Sequence, residues 1–116
     1  MQPTMTETAD GTKEWRLDGK FHRTDGPARE SADGHKVWYL NGNYHRIDGP
    51  AVEFESGTKE WRLHGKFHRT DGPAIEWLNG RKSWYLHDKV LPFDEWLNEN
   101  TYLTDGEKVM MKLKYG

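Results

Sequence analysis

No cysteine occurs among the 116 residues, which excludes a disulfide framework and every thiolate metal site. No apolar run approaches the roughly 18 residues that a membrane-spanning helix needs. The polar opening Met1 to Asp10 has no apolar stretch of the signal-peptide kind, so the expected location is the cytoplasm, away from any membrane. An excess of one charge is missing as well. Lys plus Arg number 17 against 19 for Asp plus Glu, leaving no bulk electrostatic reason to bind nucleic acid. Apolar residues are scarce at 34%, yet aromatic residues reach 13%, so the core is expected to be built from rings.

What is present is a repeat. Phe21 to Ala28, Phe-His-Arg-Thr-Asp-Gly-Pro-Ala, returns as Tyr44 to Ala51 and again as Phe67 to Ala74. His22, His45 and His68 are 23 residues apart, and so are Asp25, Asp48 and Asp71. A fixed period of that length marks stacked supersecondary units. Units open at Gly11, Gly34, Gly57 and Gly80, and each carries a Lys-x-Trp-x-Leu segment centred on Trp15, Trp38, Trp61 or Trp84. Residues at i, i+2 and i+4 share a strand face, so Trp and Leu lie on one side while Glu14 and Arg16 point to the other. Asp18-Gly19 and Asn41-Gly42 are strong two-residue hairpin turns, and His64-Gly65 stands in the same place. Asp-Gly-Pro then bends the returning strand, because proline has no N–H to donate to a ladder.

The expected fold is mainly β, a single-layer antiparallel meander of stacked 23-residue β-hairpin repeats. It forms a ribbon over residues 1–91 that advances about 10 Å per unit. Residues 5–10 read as a degenerate leading half-unit, since Glu7 lies one period before Glu30. A short helical cap is expected over 92–116: Pro92 sits at a helix start with Asp94 and Glu95 behind it, and Thr104-Asp-Gly-Glu107 has capping-box spacing. Val109, Met110 and Leu113 share a helical face that is expected to cover the last strands.

The Trp-x-Leu-x-Gly-x-x-His core, followed by a Glu-bearing strand and a further glycine at this period, resembles the MORN repeat (membrane occupation and recognition nexus), and more narrowly its bacterial and phage variant. The likeness covers residues 11 to 87. It implies a β-hairpin ribbon that serves as a scaffold or interaction surface, and a phage-type setting would place it in the host cytoplasm. The chain departs from the common repeat by placing Arg-x-Asp-Gly-Pro-Ala after the His where Gly-x-Gly is usual, and the lipid binding proposed for that class is not carried over.

In-register His22, His45, His68 and Asp25, Asp48, Asp71 suggest metal or acid–base chemistry, but equivalent positions about 10 Å apart cannot converge on one ion bound at about 2 Å. No nucleophile–base pair or phosphate loop appears, so neither catalytic residue nor cofactor is assigned. The recurring side chains are read as structural. Each Asp accepts backbone N–H bonds at its bend, Arg23, Arg46 and Arg69 pair with Glu30, Glu53 and Glu76, and each His bridges strands. Trp15, Trp38, Trp61 and Trp84 form either the ring-rich core or an exposed ridge.

Binding is sought where units differ. Residues 11 to 28 and 57 to 74 are identical except for Asp18 against His64, which gives a 46-residue alternation of Arg16, Tyr39, Arg62 and Tyr85. Arg and Tyr are frequent binding hot spots; duplication of a two-unit block is the alternative. Trp77, with Phe54 and Leu78, is apolar where the first unit has Ser31 and Ala32, suggesting contact with the cap or with a partner. The expectation is a non-enzymatic binding protein that engages a protein through Arg16, Tyr39, Arg62, Tyr85, His64 and Trp77, inhibiting a host or defence factor if the phage likeness holds. The alternatives are a sponge for a small nucleotide or other anionic molecule and a structural component that self-pairs through its N-terminal edge strand.

Overall fold

The computed structural model describes residues 2–116; Met1, the first residue of the expected ribbon, lies outside them. Among the described residues the strands are β1 (Thr4–Glu7), β2 (Lys13–Leu17), β3 (Lys20–Phe21), β4 (Arg29–Glu30), β5 (Lys36–Val37), β6 (Tyr39–Leu40), β7 (Asn43–Tyr44), β8 (Val52–Glu53), β9 (Lys59–Glu60), β10 (Arg62–Leu63), β11 (Lys66–Phe67), β12 (Ile75–Glu76), β13 (Lys82–Leu86) and β14 (Lys89–Leu91). The helices α1 (Phe93–Glu99) and α2 (Asp105–Tyr115) follow. The fold is mainly β: a ten-strand antiparallel open sheet of hairpins in the order β1-β2-β4-β5-β8-β9-β12-β13-β14, with β3 on β2. The pairs β6–β7 and β10–β11 stand off it as separate two-stranded pieces.

Each unit therefore feeds two rows of strands, and its tryptophan is the junction. The N–H groups of Trp15, Trp38 and Trp61 donate to the carbonyls of Ala28, Ala51 and Ala74 in the long sheet, each at 2.7 Å. Their carbonyls accept from His22, His45 and His68 in the hairpin, each at 3.0 Å. The segment expected as one straight strand is continuous in β2 and β13 but is interrupted at Trp38 and Trp61. At those residues the chain leaves one row for the other.

Opposite charges alternate across the long sheet. Glu7, Lys13, Glu30, Lys36, Glu53, Lys59, Glu76 and Lys82 are successive cross-strand partners, an arrangement worth a few tenths of a kcal/mol up to about 1 kcal/mol per pair. The next column inward holds buried Val37, Val52 and Ile75. The hairpin turns at Asp18-Gly19, Asn41-Gly42 and His64-Gly65 all have positive φ at both residues, as a two-residue turn that matches strand twist requires. The fourth turn keeps this geometry at His87-Asp88, with φ of 52° and 63°, without a glycine.

A hydrophobic core cluster lies at the C-terminal end, where Trp84, Leu86 and Leu91 pack with Trp96 and Leu97 of α1, flanked by Phe93, Leu103, Met111 and Tyr115. The capping box of α2 is formed: Thr104 Oγ1 accepts from the Glu107 N–H and Glu107 Oε1 from the Thr104 N–H. The face that α2 turns inward differs from expectation. Met111 and Tyr115, one turn apart, reach the core, while Val109, Met110 and Leu113 stay exposed. The Tyr115 ring, set edge-on to Trp84 at 5.0 Å, fixes that rotation. No helix among the described residues is long and apolar enough to cross a membrane.

Candidate functional site

The His-Arg-x-Asp-Gly-Pro loops build the most regular feature of the molecule. Arg23, Arg46 and Arg69 lie over the rings of Trp15, Trp38 and Trp61 at 3.9, 3.8 and 3.9 Å, a contact worth about 0.5–2 kcal/mol. Each Nε donates to the Asp two residues on, at 2.9 to 3.1 Å, and each NH1 to the proline carbonyl four residues on, at 3.1 Å. Arg46 and Arg69 also reach Glu53 and Glu76, at 3.0 and 2.6 Å, as the sequence suggested. The principal partner of Asp25, Asp48 and Asp71 is thus an arginine, where backbone N–H groups were expected. The guanidinium beside Asp25, by its hydrogen bond and then by its charge, holds that carboxyl below the usual carboxylate range. The loop glycine leaves room for the guanidinium: a Cβ on Gly26, Gly49 or Gly72 would stand 2.9, 2.9 or 2.6 Å from the arginine Cζ and displace it.

Successive units are tied at both rows of turns. In the hairpin row, His22 Nδ1 accepts from the Asn41 N–H and His45 Nδ1 from the His64 N–H, each at 3.1 Å. In the other row, Thr12, His35 and Thr58 accept from the N–H groups of Ala32, Glu55 and Leu78 in the following turn. Burial, and then the charge of His64 with its ring 4.4 Å away, pushes the His45 imidazole below its ordinary value.

Between successive loops the face carrying Trp, Leu and His opens into two clefts of about 810 and 800 Å³. The first has Trp38 and Leu40 as its floor, between the loops Arg23 to Pro27 and Arg46 to Asp48. Its counterpart has Trp61 and Leu63 as floor, between Arg46 to Pro50 and Arg69 to Asp71. The two are the same site displaced by 23 residues, with His45, His64 and His68 on the lips of the second. Ile47, 87% exposed, stands on the loop that divides them, at the position Thr24 and Thr70 hold in the neighbouring loops.

The series of loops ends at the helical cap. Where the next loop would stand above Trp84 and Leu86, the chain forms α1 and lays Trp96 and Leu97 into the space, 0% and 2% exposed. Trp96 Nε1 donates to the Tyr85 carbonyl at 3.1 Å and Asn100 Nδ2 to the Thr70 carbonyl at 3.1 Å. Pro73 of the flanking loop is fully buried.

The residues singled out from the sequence for binding fall into three places. Arg16, Tyr39, Arg62 and Tyr85 come together with Phe21, Tyr44 and Phe67 in one stacked column on the face opposite the clefts. Phe21–Tyr39, Tyr39–Tyr44 and Phe67–Tyr85 stack at 4.9, 5.0 and 4.5 Å, and Arg62 lies 3.7 Å from the Phe67 ring centre. Arg62 is further held by Glu60 and the Gly65 carbonyl, and Arg16 by Glu14. Burial, and then the hydrogen bond with Tyr44, pushes the Tyr39 hydroxyl up to about 12. His64 lies on the cleft side, against His45. Trp77 lies at the turn between β12 and β13, 40% exposed, with Nε1 donating to Ser83. Trp15, Trp38 and Trp61 are half-buried under their arginines, and Trp84 is buried under the cap.

Ile47 and the Thr12, His35, Thr58 series escaped the sequence reading. The signal for Ile47 was present as one apolar residue in a loop that elsewhere has Thr. Comparison with protein-family models, with curated proteins and with solved structures finds no match to the chain.

Proposed function

We propose that the protein is a non-enzymatic binding module that holds a segment of a protein partner along its two clefts, with Ile47 as the central contact. The observation that carries this reading is the pair of equivalent clefts, one period apart, parted by the most exposed large apolar side chain among the described residues. Pockets of this volume with ring and aliphatic floors are the usual form of a binding site. The likeness to MORN repeats, a class of interaction scaffolds, points the same way. An anionic small molecule is less well served, because Nε and NH1 of Arg46 and Arg69 are already turned to Asp, Glu and proline carbonyls. The arginines of the stacked column on the other face are likewise held within the chain, by Glu14, Glu60 and the Gly65 carbonyl.

A photo-crosslinking residue at position 47, followed by mass spectrometry of captured species, tests the proposal. Capture is expected to be lost in Ile47→Asp and retained in the Arg16→Ala/Arg62→Ala double variant. Capture that is insensitive to Ile47→Asp and lost with the two arginines would move the contact to the opposite face and overturn the reading.

A further inference from the structure

The charge alternation along the long sheet stops at an acid on one edge and at a lysine on the other. Inside the sheet each member of that column has two cross-strand neighbours of opposite sign: Lys13 lies between Glu7 and Glu30, Glu30 between Lys13 and Lys36, and so on to Glu76 between Lys59 and Lys82. Glu7 on β1 and Lys82 on β13 have one such neighbour each among the described residues. The Lys82 ammonium reaches only the Gly80 carbonyl of its own turn, at 3.2 Å. Continuing the period would put the second acid beside Lys82 at Glu99, but that residue ends α1.

The backbone is open at the same two places. Thr8 donates to the Thr12 carbonyl at 2.8 Å, so alternation along the strand turns the N–H and carbonyl groups of Met5 and Glu7 away from β2. Trp77 donates to the Arg81 carbonyl and Ala74 to the Ser83 carbonyl, which turns the backbone groups of Lys82 away from β12. The helical cap does not close this edge. It buries Trp84 and Leu86 further along β13, and α1 then runs back to the third loop, where Asn100 bonds to Thr70, while Lys82 stays exposed. In the earlier units β4, β8 and β12 fill the corresponding place beside β2, β5 and β9. The acid of β1, Glu7, stands one period before that of β4.

We infer that copies of this chain join head to tail, β1 of one copy entering antiparallel beside β13 of the next, with Glu7 opposite Lys82 and Thr6 opposite Ser83. The strand that the fourth unit lacks is then supplied by a second copy, in the register that Lys13 and Glu14 keep with Glu30 and Arg29. Addition of a strand to an open sheet edge is a recurrent recognition mode. Two β1 strands paired with each other would leave both Glu7 carboxylates without a second lysine, so charge selects the head-to-tail arrangement. Such a contact is heterologous and propagates beyond a dimer. It uses the ends of the sheet and not the cleft face, so it stands apart from the binding reading above.

Small-angle X-ray scattering of the untagged full chain from about 10 μM to about 1 mM tests the inference, a range in which weak contacts register. The nine strands of the long path span roughly 40 Å side by side, so the 48 Å dimension of the molecule lies along the stack. With rising concentration the particles are expected to lengthen at constant cross-section, more so at low salt. Glu7→Lys and Lys82→Glu should each weaken association about tenfold by setting like charges together at the joint. An equal mixture of the two variants should recover it, because every joint can then pair opposite charges. Met5→Pro removes an outward N–H from β1 without taking a bond from β2, and should abolish the lengthening at an unchanged melting temperature, so the result stands even where a charge reversal loosens β1. A concentration-independent monomer would overturn the inference. Association that survives Lys82→Glu, or a mixture that associates no better than its components, would overturn it as well.

Discussion

At the scale of single residues, the repeat is held by a side chain whose partners are local in sequence yet invisible to strand periodicity. Arg69 spans from Asp71 to Glu76 while its guanidinium lies on Trp61. The sequence showed an arginine, a carboxylate and a tryptophan in register. It did not show that the arginine covers the ring, because strand alternation says which face Trp61 takes and nothing about what folds back over it. The third member of the clamp is Gly72, where φ is not positive, so alanine would suit the backbone. Its Cβ would nonetheless lie 2.6 Å from Arg69 Cζ, and the arginine cannot move without leaving ring and carboxylates. Gly72→Ala is expected to lower stability by about 1–3 kcal/mol, the usual cost of overpacking. In the Arg69→Ala background the same change should cost almost nothing, a coupling that chemical denaturation of the four proteins measures. Additive losses would show that the glycine serves some other need.

At the scale of elements, the hairpins are locally specified and the ties between them are not. Asp18-Gly19 and Asn41-Gly42 announce their turns through positive φ, and Thr104 with Glu107 announces the start of α2; all three are interactions within four residues. The bond from the His64 N–H to His45 Nδ1 spans 19 residues and depends on one hairpin lying beside the next. It requires His45 neutral at Nδ1, and burial with the neighbouring His64 depresses the His45 imidazole accordingly. A base whose folded value lies below its unfolded value of about 6.5 contributes fully above that value, and the contribution is lost as pH falls through the folded value. The melting temperature should therefore drop between about pH 7.5 and about pH 5. His45→Asn, whose amide oxygen can replace Nδ1 as acceptor, should flatten that slope. An unchanged slope in the variant would assign the pH response to other groups. The inward face of α2 was the element misread, because Val109, Met110 and Leu113 make a regular apolar stripe, yet the available ring, Trp84, recruits Tyr115 and Met111.

At the scale of the whole molecule, the period is the unit of construction. The first three units receive the same clamp, and successive units share inter-turn ties and cross-strand charge alternation, so stability is expected to be close to a sum over units and their interfaces. Deleting residues 34–56 joins Asp33 to Gly57 and restores an Asp-Gly turn in the same register. Circular dichroism of that variant should show a cooperatively folded protein with a lower melting temperature, whereas deletion of half a period should abolish cooperative melting. A full-period deletion that fails to fold would mean that the ribbon depends on its particular units. By itself, the sequence determined the period, the hairpin turns, the antiparallel ribbon and the helical cap, because each follows from side-chain alternation, backbone preference or capping among near neighbours. Only the tertiary structure decided that the chain changes rows at each tryptophan and that Arg16, Tyr39, Arg62 and Tyr85 stack into a column. It alone decided that two clefts open on either side of Ile47 and that α1 takes the place of the next loop. Those features join residues one or more turns of the chain apart, such as Asn100 with Thr70, and their spacing is set by how units stack in space rather than by anything a single stretch encodes.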